Sequence, residues 1–220
     1  EFLNKLQLHN VVIVKEGKAV SLKEGMKKSE LDYLAKKPNL DFLKFLFSKK
    51  CILVEGPSEE MLIKSYLALQ IDELNEIEVI SLHKGFSKML DIWLKVNEGT
   101  NHRIGIIRDF DNQPKAQTNH EKYNLYKNIY VTTTSEYTLE PEFVKQGENY
   151  SKLKEYFIKN HRWNESDIDT EDKLSDKWRN SKAETMLRFS QDFGQEELKD
   201  IELPIHISRV IHFLKSGDKI

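Results

Sequence analysis

Cys51-Ile52-Leu53-Val54-Glu55-Gly56-Pro57-Ser58-Glu59-Glu60 is the stretch on which the fold turns. Its first four residues are an apolar run of strand length. Gly56 and Pro57 break that run, and Ser58 is placed to cap a helix with Glu59 and Glu60 in its first turn. Met61, Leu62, Tyr66, Leu67 and Leu69 give the helix an apolar stripe. The stretch therefore predicts strand, tight turn, helix. The pattern continues downstream. Ile77–Leu82 reads as a second strand, Gly85 as a turn, and Ser87–Val96 as a helix with Met89, Leu90, Trp93 and Leu94 on its apolar side. Arg103–Arg108 is a third strand running into Asp109-Phe110-Asp111, and Asn128–Thr134 is a fourth. Strands alternating with helices predict an α/β fold: a parallel four-stranded sheet with right-handed crossovers, flanked by helices.

Upstream, Asn10–Leu22 reads as a hairpin about the turn Lys15-Glu16-Gly17-Lys18. Lys23–Lys37 reads as a charged helix, and Leu40–Phe47 as a short apolar segment. From Pro141 onward the β-branched runs stop. Ser151–His161, Ser181–Phe193 and Pro204–Lys215 are expected to be helices, with Pro204 suited to a first turn. The polar, acidic stretch Asn164–Lys177 is expected to be a mobile loop. The division predicted is a connector at 1–47, an α/β core at 48–145 and a C-terminal helical subdomain at 146–220.

Composition excludes several classes. No apolar run approaches the ~18 residues of a membrane span, and Glu1-Phe2-Leu3-Asn4 does not open a signal peptide. The single cysteine, Cys51, excludes an intrachain disulfide and a cysteine-based zinc cluster, so a reducing, cytoplasmic setting is expected. The 34 basic and 36 acidic residues leave a net charge of −2, which removes bulk basicity as an argument for nucleic acid. A nucleic-acid site would need a local arrangement of charge. Lys49, Lys50, Arg103, Lys115, Lys122, Lys177, Arg179 and Lys182 are candidates for a groove that tracks phosphates. The chain does not open on methionine, and it is read as a fragment or as carrying cloning residues.

In an open parallel sheet, ligands bind beyond the carboxyl ends of the strands. Glu55 ends the first strand, and Asp109 and Asp111 end the third, on one side by period-two geometry. Glu59 lies one turn into the helix after the first strand, and Glu140 follows the fourth. Five carboxylates projected to one sheet edge repel one another unless a cation joins them. Hard oxygen ligands favour Mg²⁺, Mn²⁺ or Ca²⁺. Glu60 is the registry alternative to Glu59, and Glu142 the alternative to Glu140. His83 is a further candidate for DNA or metal. Trp93, Trp163 and Trp178 are read as core or interface.

Ile52-Leu53-Val54-Glu55-Gly56-Pro57-Ser58-Glu59 followed by Arg108-Asp109-Phe110-Asp111 resembles the Toprim domain, and within it the nucleases of the OLD (overcoming lysogenization defect) family. Thr138-Leu139-Glu140 resembles the Leu-Glu motif after their fourth strand, and Ser181-Lys182-Ala183 the segment with their functional lysine. The resemblance implies a Rossmann-like Toprim core. It implies that Glu55, Glu59, Asp109, Asp111 and Glu140 share two Mg²⁺ or Mn²⁺ ions, with Glu55 as general base or acid and Lys182 on the phosphate. It further implies a metal-dependent DNA endonuclease, joined to an N-terminal ABC-like ATPase, able to dimerise, and acting in prokaryotic phage defence. The chain has no Gly-x-x-x-x-Gly-Lys-Ser/Thr phosphate loop, so the ATPase is expected elsewhere. The alternatives are another Toprim enzyme, primase-like or an RNA-maturation nuclease, and a non-catalytic Toprim module that binds DNA or a partner.

Overall fold

The four apolar runs pair side by side as a parallel sheet. They are β3 (Lys50–Val54), β4 (Ile77–Ser81), β5 (Arg103–Arg108) and β6 (Ile129–Thr133), preceded by the antiparallel hairpin β1 (Val12–Lys15) and β2 (Lys18–Ser21). The computed structural model describes residues 8–15, 17–36, 42–70, 76–97, 99–198 and 200–220. The expectations placed on Glu1–Asn4, Glu16, Lys37, Leu40 and Asp41 lie outside them. The helices are α1 (Leu22–Gly25), α2 (Lys28–Lys36), α3 (Phe42–Phe47), α4 (Pro57–Ala68), α5 (Phe86–Asn97), α6 (Pro114–Glu121), α7 (Leu139–Val144), α8 (Asn149–His161), α9 (Glu171–Asn180), α10 (Lys182–Asp192) and α11 (Ile205–Ser216).

The spatial strand order is β4-β3-β5-β6. The chain runs outward from β3 to β4, returns past β3 to β5, and runs outward again to β6. The order therefore reverses between β3 and β5, and a crevice opens beyond the carboxyl ends of strands at such a reversal.

Alternation along the strands builds a core on each face of the sheet. Ile52, Val54, Val79 and Ile107 join Leu62 and Ile63 of α4, Phe143, Phe157, Trp178 and Phe189 of α7 to α10, and Val210, Phe213 and Leu214 of α11. Cys51, Leu53, Ile80, Ile104, Ile106 and Val131 join Met89, Leu90 and Trp93 of α5, together with Ile13, Leu22, Leu34 and Phe45 from the N-terminal elements. Trp93 and Trp178 are fully buried, and Trp163 stacks on Phe157 with ring centroids 4.4 Å apart. The hairpin is fastened by the buried Lys15, which donates to Asn97 Oδ1 at 2.7 Å and to the Leu46 carbonyl.

Three local expectations need correction. The cap of α4 is Gly56 rather than Ser58: Pro57 occupies the first helical turn with its φ already set, and Ser58 is buried. The expected helix over Lys23–Lys37 is two helices. Met26 turns extended to bury its side chain, and the Glu30 carboxylate then caps a fresh start at the Lys27 amide, 2.8 Å away. The expected loop Asn164–Lys177 contains most of α9. Thr170 caps it through the Lys173 amide, and Ile168, Leu174 and Trp178 are fully buried. Acidic content masked an apolar spacing that suits a helix. No helix among the described residues is long and apolar enough to cross a membrane.

Candidate functional site

The crevice between β3 and β5 gathers the predicted carboxylates. Glu55 is the first residue past β3, and its Oε1 lies 3.5 Å from Nε of Arg108, the last residue of β5. Burial pushes the Glu55 carboxyl up, Arg108 draws it back, and Asp111 and Glu59 push it up again. Glu59 is 3 % exposed and caps its own helix, its Oε2 accepting from the Gly56 amide at 2.9 Å. That bond orients the carboxylate inward, towards the end of β5.

β5 ends at Arg108, so Asp109 and Asp111 are not placed by strand periodicity as expected. Asp109 is buried just beyond the strand. The turn after it is left-handed at two successive residues, Asp111 (φ 49°) and Asn112 (φ 53°), a conformation in which Asp and Asn are tolerated. The Phe110 amide donates to Thr134 Oγ1 at 2.9 Å and the Asp111 amide to the Tyr137 carbonyl at 3.1 Å. This turn is thus tied to the loop that leads into α7. Burial and the charge of Glu59 push the Asp109 carboxyl up to about 8, against the pull of Lys182.

Glu140, in the first turn of α7, is fully buried. Its Oε2 accepts from Thr138 Oγ1 at 2.9 Å, and its Oε1 has no hydrogen-bond partner among the described residues. Lys182, the first residue of α10, projects into the same space. Its Nζ lies 3.3 Å from Glu59 Oε1, 3.3 Å from Glu140 Oε1 and 3.8 Å from Asp109 Oδ2. Burial works against its charge, but the three carboxylates outweigh burial and raise its pKa.

The two alternatives lie outside this cluster. Glu60 accepts from the Ser81 amide at 3.1 Å and pairs with Lys64, which fastens α4 to β4. Glu142 accepts from the Glu136 amide and from both the amide and the hydroxyl of Ser135, and sits 3.5 Å from His206 Nδ1 on α11. Burial pushes its carboxyl up, but His206 and these donors prevail and hold it at about 2. A depressed carboxyl adds stability above its ordinary pKa of 4.5, and that stability fades as pH falls through about 2. Glu142→Gln is therefore expected to lower stability at pH 7 by about 2–3 kcal/mol, or roughly 5–10 °C in the thermal midpoint. The difference should shrink towards pH 2. A loss independent of pH would mark the effect as steric.

The sequence pattern of the family described as Overcoming lysogenization defect protein-like, TOPRIM domain, matches residues 46–111. Residues 46–111 are an OLD-like Toprim domain. No curated protein and no solved structure matches the chain. The match spans β3 to Asp111, and so holds Glu55, Glu59, Asp109 and Asp111. Glu140 and Lys182 lie beyond it, carried to the Toprim crevice by α7 and α10.

The Toprim crevice presents a donor set of oxygens only. Among the described residues, five carboxylates stand against two cations, Arg108 and Lys182, and one fully buried oxygen, Glu140 Oε1, has an ion pair with Lys182 but no hydrogen bond. In chemistry this set fits a hard divalent ion. In arrangement, no three His, Cys, Asp or Glu side chains among the described residues converge closely enough to hold one as they stand. At the centre of Glu59, Asp109 and Glu140 sits the Lys182 ammonium.

Sequence reasoning gave Arg108 no role of its own. It is 4 % exposed, it is the nearest cation to Glu55, and its Nε and Nη1 have no hydrogen-bond partner among the described residues. Its signal was available: one arginine closing an otherwise apolar strand, immediately before Asp-x-Asp. Of the proposed phosphate-tracking residues, Lys49, Lys50 and Arg103 lie at the amino ends of β3 and β5, opposite the crevice. Arg103 instead donates to the carbonyls of Phe213, Leu214 and Lys215 and closes the C-terminus of α11. His83 is exposed past β4 at φ 61°, its amide on the Glu55 carbonyl.

Proposed function

We propose that the chain is the nuclease part of an OLD-type protein and hydrolyses DNA phosphodiesters with divalent metal. The observation that carries the reading is the gathering of Glu59, Asp109 and Glu140 around Lys182 at the strand-order reversal, with Glu55 on Arg108 beside them and Asp111 within electrostatic reach of Glu55. Those five residues would hold Mg²⁺ or Mn²⁺. When bound, such ions supply charge neutralisation at the phosphate and activation of a water.

The remaining roles belong to the chain itself. Glu55 is partly exposed, and its raised pKa suits it to take the proton of the attacking water. The water oxygen forms the new P–O bond, the ester P–O bond breaks, and the leaving oxygen takes up a proton from solvent while Glu55 later releases its own to solvent. Arg108 holds Glu55 from behind and opposes the rise of its pKa. Lys182 contacts a non-bridging phosphate oxygen, where an ammonium favours the transition state. By family analogy alone, the partners are DNA and an ABC-like ATPase, and the setting is phage defence.

The test is plasmid nicking with Mn²⁺ or Mg²⁺. The wild type should relax supercoiled DNA, EDTA should stop it, and Glu55→Ala should reduce it by on the order of 10²-fold or more, the usual worth of a positioned acid or base. Activity that survives both Glu55→Ala and Asp109→Ala would remove the site assignment. A folded protein inert with every divalent ion would favour a Toprim binding module.

A further inference from the structure

We propose that the Lys182 ammonium is a tethered stand-in for a divalent ion: it occupies the point shared by Glu59, Asp109 and Glu140, and an ion loading there must displace it. The proposal rests on the metal-dependent reading above and concerns how that site is controlled.

Three carboxylates approach Nζ within 3.3, 3.3 and 3.8 Å. Two of them, Glu59 and Glu140, are 3 % and 0 % exposed, so little solvent screens them. One ammonium is shared by three acids, and the fully buried Glu140 Oε1 has the Lys182 ion pair at 3.3 Å but no hydrogen bond among the described residues. A divalent ion at the same point would gain twice the Coulomb energy per carboxylate at equal distance. The lysine is built to yield. It sits at the first residue of α10, its stem is flexible, and its side chain remains 30 % exposed. It can swing towards solvent while α10 stays packed on α4.

Displacement has a second effect. The ammonium leaves its carboxylates and enters the crevice mouth, where a phosphate oxygen is its natural partner. Metal loading and phosphate binding then favour one another, because each draws the lysine the same way. Without metal, the same lysine keeps the cluster closed and partly neutralised.

The experiment is an Mn²⁺ titration of the full chain, followed by the electron paramagnetic resonance signal of free Mn²⁺. Lys182→Met should bind its weakest-held ion ~10-fold or more tightly than the wild type, since a competing cation is gone. Lys182→Arg, which keeps a cation there, should show no such gain. In the wild type, Lys182 should be modified several-fold faster by an amine-acylating reagent once Mn²⁺ is saturating, as read by mass spectrometry. That second measurement needs no variant to fold. Equal or weaker Mn²⁺ binding by a folded Lys182→Met, or labelling that metal leaves unchanged, would overturn the proposal. Displacement of Lys182 without any plasmid cleavage would sink the nuclease reading and leave this one standing.

Discussion

Asp109→Asn is expected to stabilise the metal-free protein and to reduce metal-dependent cleavage by on the order of 10³-fold, equivalent to about 4 kcal/mol of transition-state stabilisation. Both effects have one cause. Asp109 is buried beside Glu59, Glu55 and Glu140, and its carboxyl is pushed up to about 8 from 3.8. In the unfolded chain it ionises near its ordinary value. Between the two values the folded state keeps a proton that the unfolded state has lost, so folding weakens as pH rises and the penalty is complete above about 8. Asparagine carries no such penalty. The variant's advantage should be near zero at pH 4 and grow to about 2 kcal/mol or more at pH 8.5, roughly 5 °C in the thermal midpoint. Saturating Mn²⁺ should narrow the gap by stabilising the wild type more. A variant less stable than the wild type at pH 8.5 would show that the Asp109 carboxylate is a structural acceptor.

Gly105→Ala is expected to be the most damaging single methyl group in the sheet. Gly105 lies at the middle of β5, facing α11, and a β-carbon there would fall on Val210 Cγ1. The neighbour belongs to a helix whose C-terminus Arg103 holds, so it has little room to retreat. Overpacking of this kind costs about 3 kcal/mol, or roughly 6–12 °C for a chain of this size. Val210→Ala removes the obstructing methyl and leaves the nearest atom, its Cβ, at 3.5 Å. The double variant should therefore recover part of the loss, although Val210→Ala alone is destabilising. Additive losses in a thermal-unfolding cycle would place the strain elsewhere.

Much of this was legible in the sequence because strand runs bounded by Gly, Pro and Asp are local signals. Arg103–Arg108 appears at its predicted limits, and the other three strands within one or two residues. Glu55 and Asp109 followed, since strand ends are where a parallel sheet presents its ligands. Strand order was not legible. Nothing local states that β5 returns past β3, although that return makes the crevice. Glu59 was preferred to Glu60 on the motif alone; the hydrogen bond of Glu59 to the Gly56 amide and that of Glu60 to the Ser81 amide were not legible. Gly105 was read only as a strand residue, because its reason lies on α11. The same limit applies to α9: charge is read along the chain, whereas Ile168 and Leu174 are buried by partners far from them in sequence.

The position of Arg103 under the end of α11 bears on how large a piece of chain can carry the site. Arg103 and Leu214 are 111 positions apart, and Glu59 and Lys182 are 123 apart. Synthesis is vectorial, at roughly 5–20 residues per second. All four parallel strands leave the ribosome while one face of their sheet has α4 but lacks α11, and while the acid cluster lacks its ammonium. Bringing such distant partners together carries a loop-closure penalty that nearer contacts avoid. The chain needed to assemble the crevice therefore extends to the last helix that docks, well beyond residues 46–111.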